Sequence, residues 1–275
     1  MKLLFIGDIV GRPGRDLIKR GVRPLIRKYQ VDLVIANGEN AAAGAGLTRD
    51  NANEIFKAGV QVITGGNHIW DKREVLEFID QEPRLIRPAN YPAGTPGRGA
   101  TLVTLPDGTR VGVLNLMGRV FLSTLDDPFT AAEREIAALG AEGAQIVFVD
   151  FHAETTSEKI ALSWFLDGRV TAVVGTHTHV QTADERILPE GTACLTDAGM
   201  TGPHDGVIGM DRQGVIARFR TGMPARFEPA GGDPRLNGVF VTADPATGRA
   251  TAIERLSISG AELEQLAEQQ TVTTP

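Results

Sequence analysis

The chain is poor in cysteine and aromatic residues and has no long apolar run. Its 275 residues include one cysteine, two tryptophans and two tyrosines. A single thiol, Cys194, excludes an internal disulfide; it reads as a small core residue and leads us to expect a reducing cytoplasm. No stretch approaches the roughly 18 apolar residues of a membrane span. The short apolar run of "MKLLFIGDIVGRPGR" breaks on Gly7-Asp8 with no small-residue cleavage site after it, so a first strand is expected there rather than a signal peptide. Excess positive charge is lacking too: the formal net charge is −6. A general nucleic-acid binder needs a basic face to replace counterions, so stable nucleic-acid binding is not expected. A phosphate substrate stays open, because a bound metal reverses the local field.

What is present is an alternation. Short β-branched runs at 2–7, 31–38, 60–66, 144–151 and 170–175 read as strands. The segments 15–29, 48–59, 71–80, 130–140 and 156–168 carry apolar residues at three and four spacing, the mark of amphipathic helices. Strands apolar on both faces and alternating with helices predict an α/β protein with a largely parallel, helix-covered sheet. "TLVTLPDGTRVGVLNL" (101–116) reads as a hairpin through Pro-Asp-Gly. The final third, 185–258, is rich in short strands and reads as a second sheet packed on the first. One domain, 1–275, is expected, with a small cap-like insertion around 200–229 and a frayed tail from Glu268.

Polar residues recur where the strands end, which is where open α/β sheets form ligand sites. Asp8 follows the first strand, Glu39 and Asn40 the second, Asn67 and His68 the third. His152 closes the fourth, and His177 and His179 the fifth. A lone histidine at a strand end is ordinarily structural; four of the chain's five at equivalent places point to metal binding. On an extended segment, His177 and His179 would face one cavity. Carboxylate, imidazole and amide donors without cysteine suit manganese, iron or zinc better than magnesium alone. Seven candidate ligands exceed the needs of one ion, so a two-metal site with a bridging carboxylate is the economical reading. His204, in "TGPHDGVIG", is expected to be surface or substrate-facing. Asp71 reads as a helix cap, and Asp150 and Asp197 as structural or ligand-orienting residues. Arg12 and Arg15 read as solvated or structural rather than phosphate-binding.

"GDIVG" (7–11), "NGEN" (37–40), "GGNH" (65–68), "FHAE" (151–154) and "GTHTH" (175–179) resemble, in order, the motifs of the calcineurin-like metallophosphoesterases. Val10 stands where that pattern has its first histidine and Glu39 where it has a bridging aspartate. Both departures, with "RPANYP", "HAETTSEK" and "TDAGMTGP", are similar to the YmdB-type bacterial branch, and the likeness extends to about residue 255. The resemblance implies two packed mixed sheets flanked by helices and hydrolysis of cyclic nucleotides, 2′,3′ or 3′,5′. It implies one metal on Asp8, Glu39 and His179, with Asn40 ligating or orienting. Glu39 would bridge to a second metal on Asn67, His152 and His177, and His68 would serve as proton donor to the leaving oxygen. A homo-oligomer is compatible with the likeness. Two rivals remain at this point: a metal-dependent amidohydrolase, whose His-x-His usually lies in a first barrel strand, and a regulatory protein that binds metal or nucleotide without turnover.

Overall fold

The computed structural model describes residues 1–272, with side chains through residue 270. The apolar runs form strands buried on both faces. One sheet joins β1 (Lys2–Ile6), β2 (Asp8–Ile9), β3 (Leu33–Asn37), β4 (Val62–Thr64), β11 (Met200–Pro203), β12 (Pro234–Ala243) and β13 (Ala250–Ser259). The other runs in the order β5 (Ala100–Thr104), β6 (Arg110–Met117), β7 (Ile146–His152), β8 (Ala172–Thr176), β10 (Ala193–Leu195), β9 (Arg186–Ile187). Within the first sheet β1, β3 and β4 are parallel, β12 pairs antiparallel with β1, and β13 pairs antiparallel with β12; in the second, β6, β7, β8 and β10 are parallel between antiparallel edges. Both sheets are therefore mixed.

Side-chain alternation along each strand builds the layers. In β1, Leu3 and Phe5 point at the opposite sheet, and Leu4 and Ile6 point at helices α1 (Gly11–Tyr29) and α2 (Arg49–Ala58). In β7, Ile146 and Phe148 meet the first sheet, while Val147, Val149 and Phe151 pack under α3 (Pro128–Ala141) and α4 (Thr156–Phe165). Phe5 and Phe148 meet across the sheets with ring centroids 5.0 Å apart. The result is the expected helix–sheet–sheet–helix sandwich.

Four local expectations change. The strands of 185–258 do not make a sheet of their own: β9 and β10 extend the sheet of β8, and β11 to β13 complete the sheet of β1. The 71–80 segment keeps only a 3-10 turn at Arg73–Glu77. The insertion begins after β11, since Met200–Pro203 pairs with both β2 and β12; between β11 and β12 lies α5 (Arg212–Thr221), a helix whose one buried side chain is Val215. Finally, most of the tail expected to fray is the end of α6 (Gly260–Val272), and residues 273–275 of it lie outside the described residues. Ser259 and Glu262 start that helix as a reciprocal capping box, the Glu262 carboxylate accepting from Ser259 N and the Ser259 hydroxyl accepting from Glu262 N. Gly21 of α1 lets α6 approach closely, since a Cβ there would sit 2.9 Å from Leu263 Cδ2. Among the described residues no helix is long and apolar enough to cross a membrane.

Candidate metal centre

The C-terminal ends of the parallel strands of both sheets open on one cleft of about 310 Å³, lined on one side by Glu39, Asn40, His68, His177 and His179. Of the seven expected ligands, Glu39, Asn40, His177 and His179 line it, and Asp8, Asn67 and His152 lie against that group. His152, fully buried at the end of β7, directs Nε2 at three atoms: Glu39 Oε1 at 3.1 Å, Asn67 Oδ1 at 2.8 Å and His177 Nδ1 at 3.0 Å. The other ring nitrogen, Nδ1, lies 2.9 Å from the Thr176 hydroxyl, which donates to Asp150 Oδ1 at 2.7 Å. That relay assigns the ring proton to Nδ1 and leaves Nε2 as a lone pair facing other lone pairs. A single proton on Nε2 satisfies one of the three neighbours; a divalent cation among them takes all the lone pairs at once.

The other half of the cluster is arranged similarly. Asp8, fully buried, keeps Oδ1 without a hydrogen-bond partner, 3.8 Å from His179 Nε2 and 4.0 Å from His152 Nδ1. Its Oδ2 accepts from His177 N. His179 Nδ1 donates to Ile208 O at 3.0 Å, so its Nε2 also faces inward, 3.3 Å from the Asn40 amide that reaches Glu39 Oε1. An orphaned buried carboxylate oxygen costs free energy unless a cation or donor meets it. Together with the O/N donor set, Asp8 Oδ1 makes these residues fit divalent cations.

Electrostatics agrees with that fit. Burial raises the Asp8 carboxyl above the ordinary range, and it raises Asp150 to about 7 against the pull of His152 and two threonine hydroxyls. Burial also opposes a charge on His152, but Glu39, Asp8 and Asp150 outweigh it and hold the imidazole up to about 9. Burial opposes Glu39 ionisation too, yet His152 and His68 bring it down to about 2, and burial beside His152 pulls His177 down to about 3. Below about pH 6.5 the lowered His177 opposes the raised Asp8 and Asp150, but between about pH 6.5 and 9 the metal-free folded chain holds a proton on His152 that the unfolded chain has released. Stability of the metal-stripped protein is expected to fall as pH rises through that window. Bound cations would keep Asp8 ionised and His152 neutral and so flatten the slope. Melting temperature against pH in EDTA and in manganese checks this; a stripped protein that gains stability from about pH 6.5 to 9 would refute it.

The loop that carries the two histidines is not an extended strand. β8 ends at Thr176, and His177 and His179 take left-handed backbone, with φ of 98° and 65°. Such conformations are strained for side-chain-bearing residues and need support. Thr178, between them, turns away to bond Asp197 Oδ2 through both N and Oγ1, and the same oxygen meets Lys159 Nζ at 2.7 Å. Both members of that ion pair are buried. Asp197 thus orients the histidines by holding Thr178, and Lys159 is a supporting residue that sequence reasoning missed. Lys159→Met is expected to cost about 3 kcal/mol in urea denaturation, the low end for a broken buried pair because Thr178 and Gly199 still donate to Asp197. A cost below about 1 kcal/mol would dismiss the support.

The same kind of tie runs beneath the centre. Asp150, on the second sheet, accepts from Thr64 and Asn37 of the first, and Asn115 accepts from Gly65 N, locking the sheets together under the ligands. The backbone at Gly66 passes so close that a Cβ would lie 2.4 Å from Glu39 Oε2 and 2.5 Å from His152. His68 stands at the rim, its Nδ1 2.8 Å from Asp71 Oδ2 and its backbone N–H on Glu39 Oε2. Asp71 therefore holds a histidine; it does not cap the turn that follows. Glu154, also missed, lies 3.0 Å from His177 Nε2. His204 faces a neighbouring hollow, where its Nδ1 bonds Gly202 O and its Nε2 meets the Asn237 amide; that hollow shares only His179 and Ile208 with the main cleft. Arg12 is solvent-exposed, and Arg15 clamps Ala41 O and Glu54, so neither arginine reaches the cleft.

Comparisons with known proteins cover nearly the whole chain. The family described as "YmdB-like protein" matches residues 4–256. A Bacillus subtilis protein named 2′,3′-cyclic-nucleotide 2′-phosphodiesterase is 54% identical over 259 residues, 94% of this chain and 97% of its own. Among solved structures, a hypothetical protein from Thermus thermophilus superposes with a TM-score of 0.88 at 43% identity, over 94% of this chain and 99% of that one. A structure described as a novel phosphatase from Mycoplasma pneumoniae gives 0.88 at 37% identity, over 94% and 93%.

Proposed function

The chain belongs to the YmdB-like family of metallophosphoesterases, and from that premise we propose that it is a metal-dependent phosphodiesterase that opens 2′,3′-cyclic nucleotides at the 2′ ester. The observation that carries the reading is the convergence of Glu39, Asn67 and His177 on His152 Nε2 beside the unpartnered Asp8 Oδ1. Asp8, Glu39 and His179 would hold one ion, with Asn40 orienting Glu39 and His179. Glu39, Asn67, His152 and His177 would hold the other, and manganese or iron suits the mixed donors best, with zinc also suited. When bound, two such ions lower the pKa of water to near neutrality and neutralise phosphate charge.

The chain's own groups do the rest. The cleft orients the cyclic phosphate above Glu39, and the ordered relay His152–Thr176–Asp150 fixes the ligand tautomer. His68, with Nδ1 held by Asp71, is left Nε2 to give a proton to the departing O2′. The segment after β11 covers this cleft through Ile208, Met210 and Phe227, and we read it as a cap on the single domain. A reducing cytoplasm suits the buried, unpaired Cys194. The test is hydrolysis of 2′,3′-cyclic AMP by protein stripped of metal and resupplied with manganese. Manganese-dependent 3′-AMP is the expected product; 2′-AMP would reverse the ester assignment, and no turnover with ions bound would reject the enzyme.

A further inference from the structure

The cap carries more than a cover for a mononucleotide needs. Of the ten residues of α5 only Val215 is buried; Phe219 is 86% exposed, and Ile216, Met223 and Phe227 are exposed as well. From Arg212 to Phe227 the chain has four arginines and no acid, inside a protein of net charge −6; Arg212 and Arg226 pair with the flanking Asp205 and Glu228, which leaves Arg218 and Arg220 as the cations of the row. The row starts at the cleft: Phe227 lines it, and the Arg218 guanidinium stacks 5.3 Å from the Phe227 ring. Arg220 has no acidic partner among the described residues. Exposed aromatics interleaved with arginines form the kind of surface that takes stacked bases and a phosphate backbone. A free cyclic nucleotide, with one base and one charge, leaves Phe219 and Arg220 nothing to bind.

Resting on the phosphodiesterase reading above, we propose that the substrate is the 2′,3′-cyclic phosphate at the 3′ end of a single RNA strand, whose preceding nucleotides lie along α5. Whole-chain charge excludes a general nucleic-acid binder, but this arm supplies a local basic, aromatic track that leads to the metal centre. The reaction adds water across one bond: oxygen from water joins phosphorus, the P–O2′ bond breaks, O2′ takes a proton, and the strand leaves with a 2′-hydroxyl and a 3′-phosphate. The supplying reaction is RNA scission in which a 2′-hydroxyl attacks its own phosphodiester and expels the 5′ oxygen.

The test compares kcat/KM for 2′,3′-cyclic AMP with that for a hexanucleotide ending in adenosine 2′,3′-cyclic phosphate, in the manganese-loaded wild type and in Phe219→Ala/Arg220→Ala. The wild type is expected to prefer the RNA about tenfold or more, and the double variant to lose the preference with cyclic AMP kinetics unchanged. Equal kcat/KM for both substrates in the wild type overturns the proposal. So does a variant that slows both equally, or one that changes only self-association in sedimentation. Anisotropy of a labelled hexanucleotide 3′-phosphate separates the two readings, because it needs no turnover. Weaker binding by the double variant, with the slope of log affinity against log salt reduced by about 0.7 in Arg220→Ala alone, supports the track even where neither substrate is hydrolysed; unchanged affinity rejects it.

Discussion

Asp8→Asn is expected to reduce manganese-dependent turnover of 2′,3′-cyclic AMP by about 10³-fold or more while leaving the metal-free protein as stable as the wild type or more so. The two effects have one cause. Asp8 is fully buried, its Oδ1 has no partner, and burial holds its carboxyl above the usual range, so in the stripped protein the charge is a liability. Asparagine keeps the shape and removes the charge. It leaves His179 Nε2 and the floor of the cleft without the anion that draws a cation, and several kcal/mol of phosphate charge stabilisation goes with the ion. Differential scanning with and without manganese reads the stability half: the wild type gains melting temperature on loading and the variant gains little. A variant that binds manganese as tightly as the wild type and turns over normally would remove Asp8 from the centre.

The parallel strands and the candidate ligand cluster at their ends were legible in the sequence because both follow from simple periodicities, whereas the pairing of two mixed sheets came from the family resemblance. Runs such as "LLFI" and "IVFV" are apolar at every position, which only a strand covered on both faces explains, and polar residues at the ends of such strands had to gather at one edge. What stayed hidden depends on backbone conformation and distant partners. His177 and His179 come together through left-handed residues, which alternation along a strand does not predict. Nothing in the helical pattern of 156–168 marks Lys159, yet its amine is buried against Asp197, 38 positions along the chain. α5 escaped because a helix that buries only Val215 has no apolar stripe to read. α6 is different: Ser259 and Glu262 at capping-box spacing, followed by Leu263 and Leu266, were a signal available in the sequence.

His68→Ala is expected to lower kcat by 10²-fold to 10⁴-fold with metal affinity unchanged, the range by which general acids act. The separation from metal binding follows from position. His68 touches the ligand shell only through its backbone N–H, which donates to Glu39 Oε2 at 2.8 Å and survives the substitution. The imidazole stands at the rim of the cleft, 41% exposed, and its partner is Asp71. Asp71→Asn should therefore have a smaller effect, about tenfold on kcat, because it loosens the ring without removing it. A substrate with a good leaving group tells the roles apart. Bis-p-nitrophenyl phosphate needs little protonation of its leaving oxygen, so His68→Ala should recover most of its loss on that ester if the residue is the proton donor. A loss of the same size on both esters would assign His68 to phosphate binding, and a drop in manganese affinity would move it into the ligand shell.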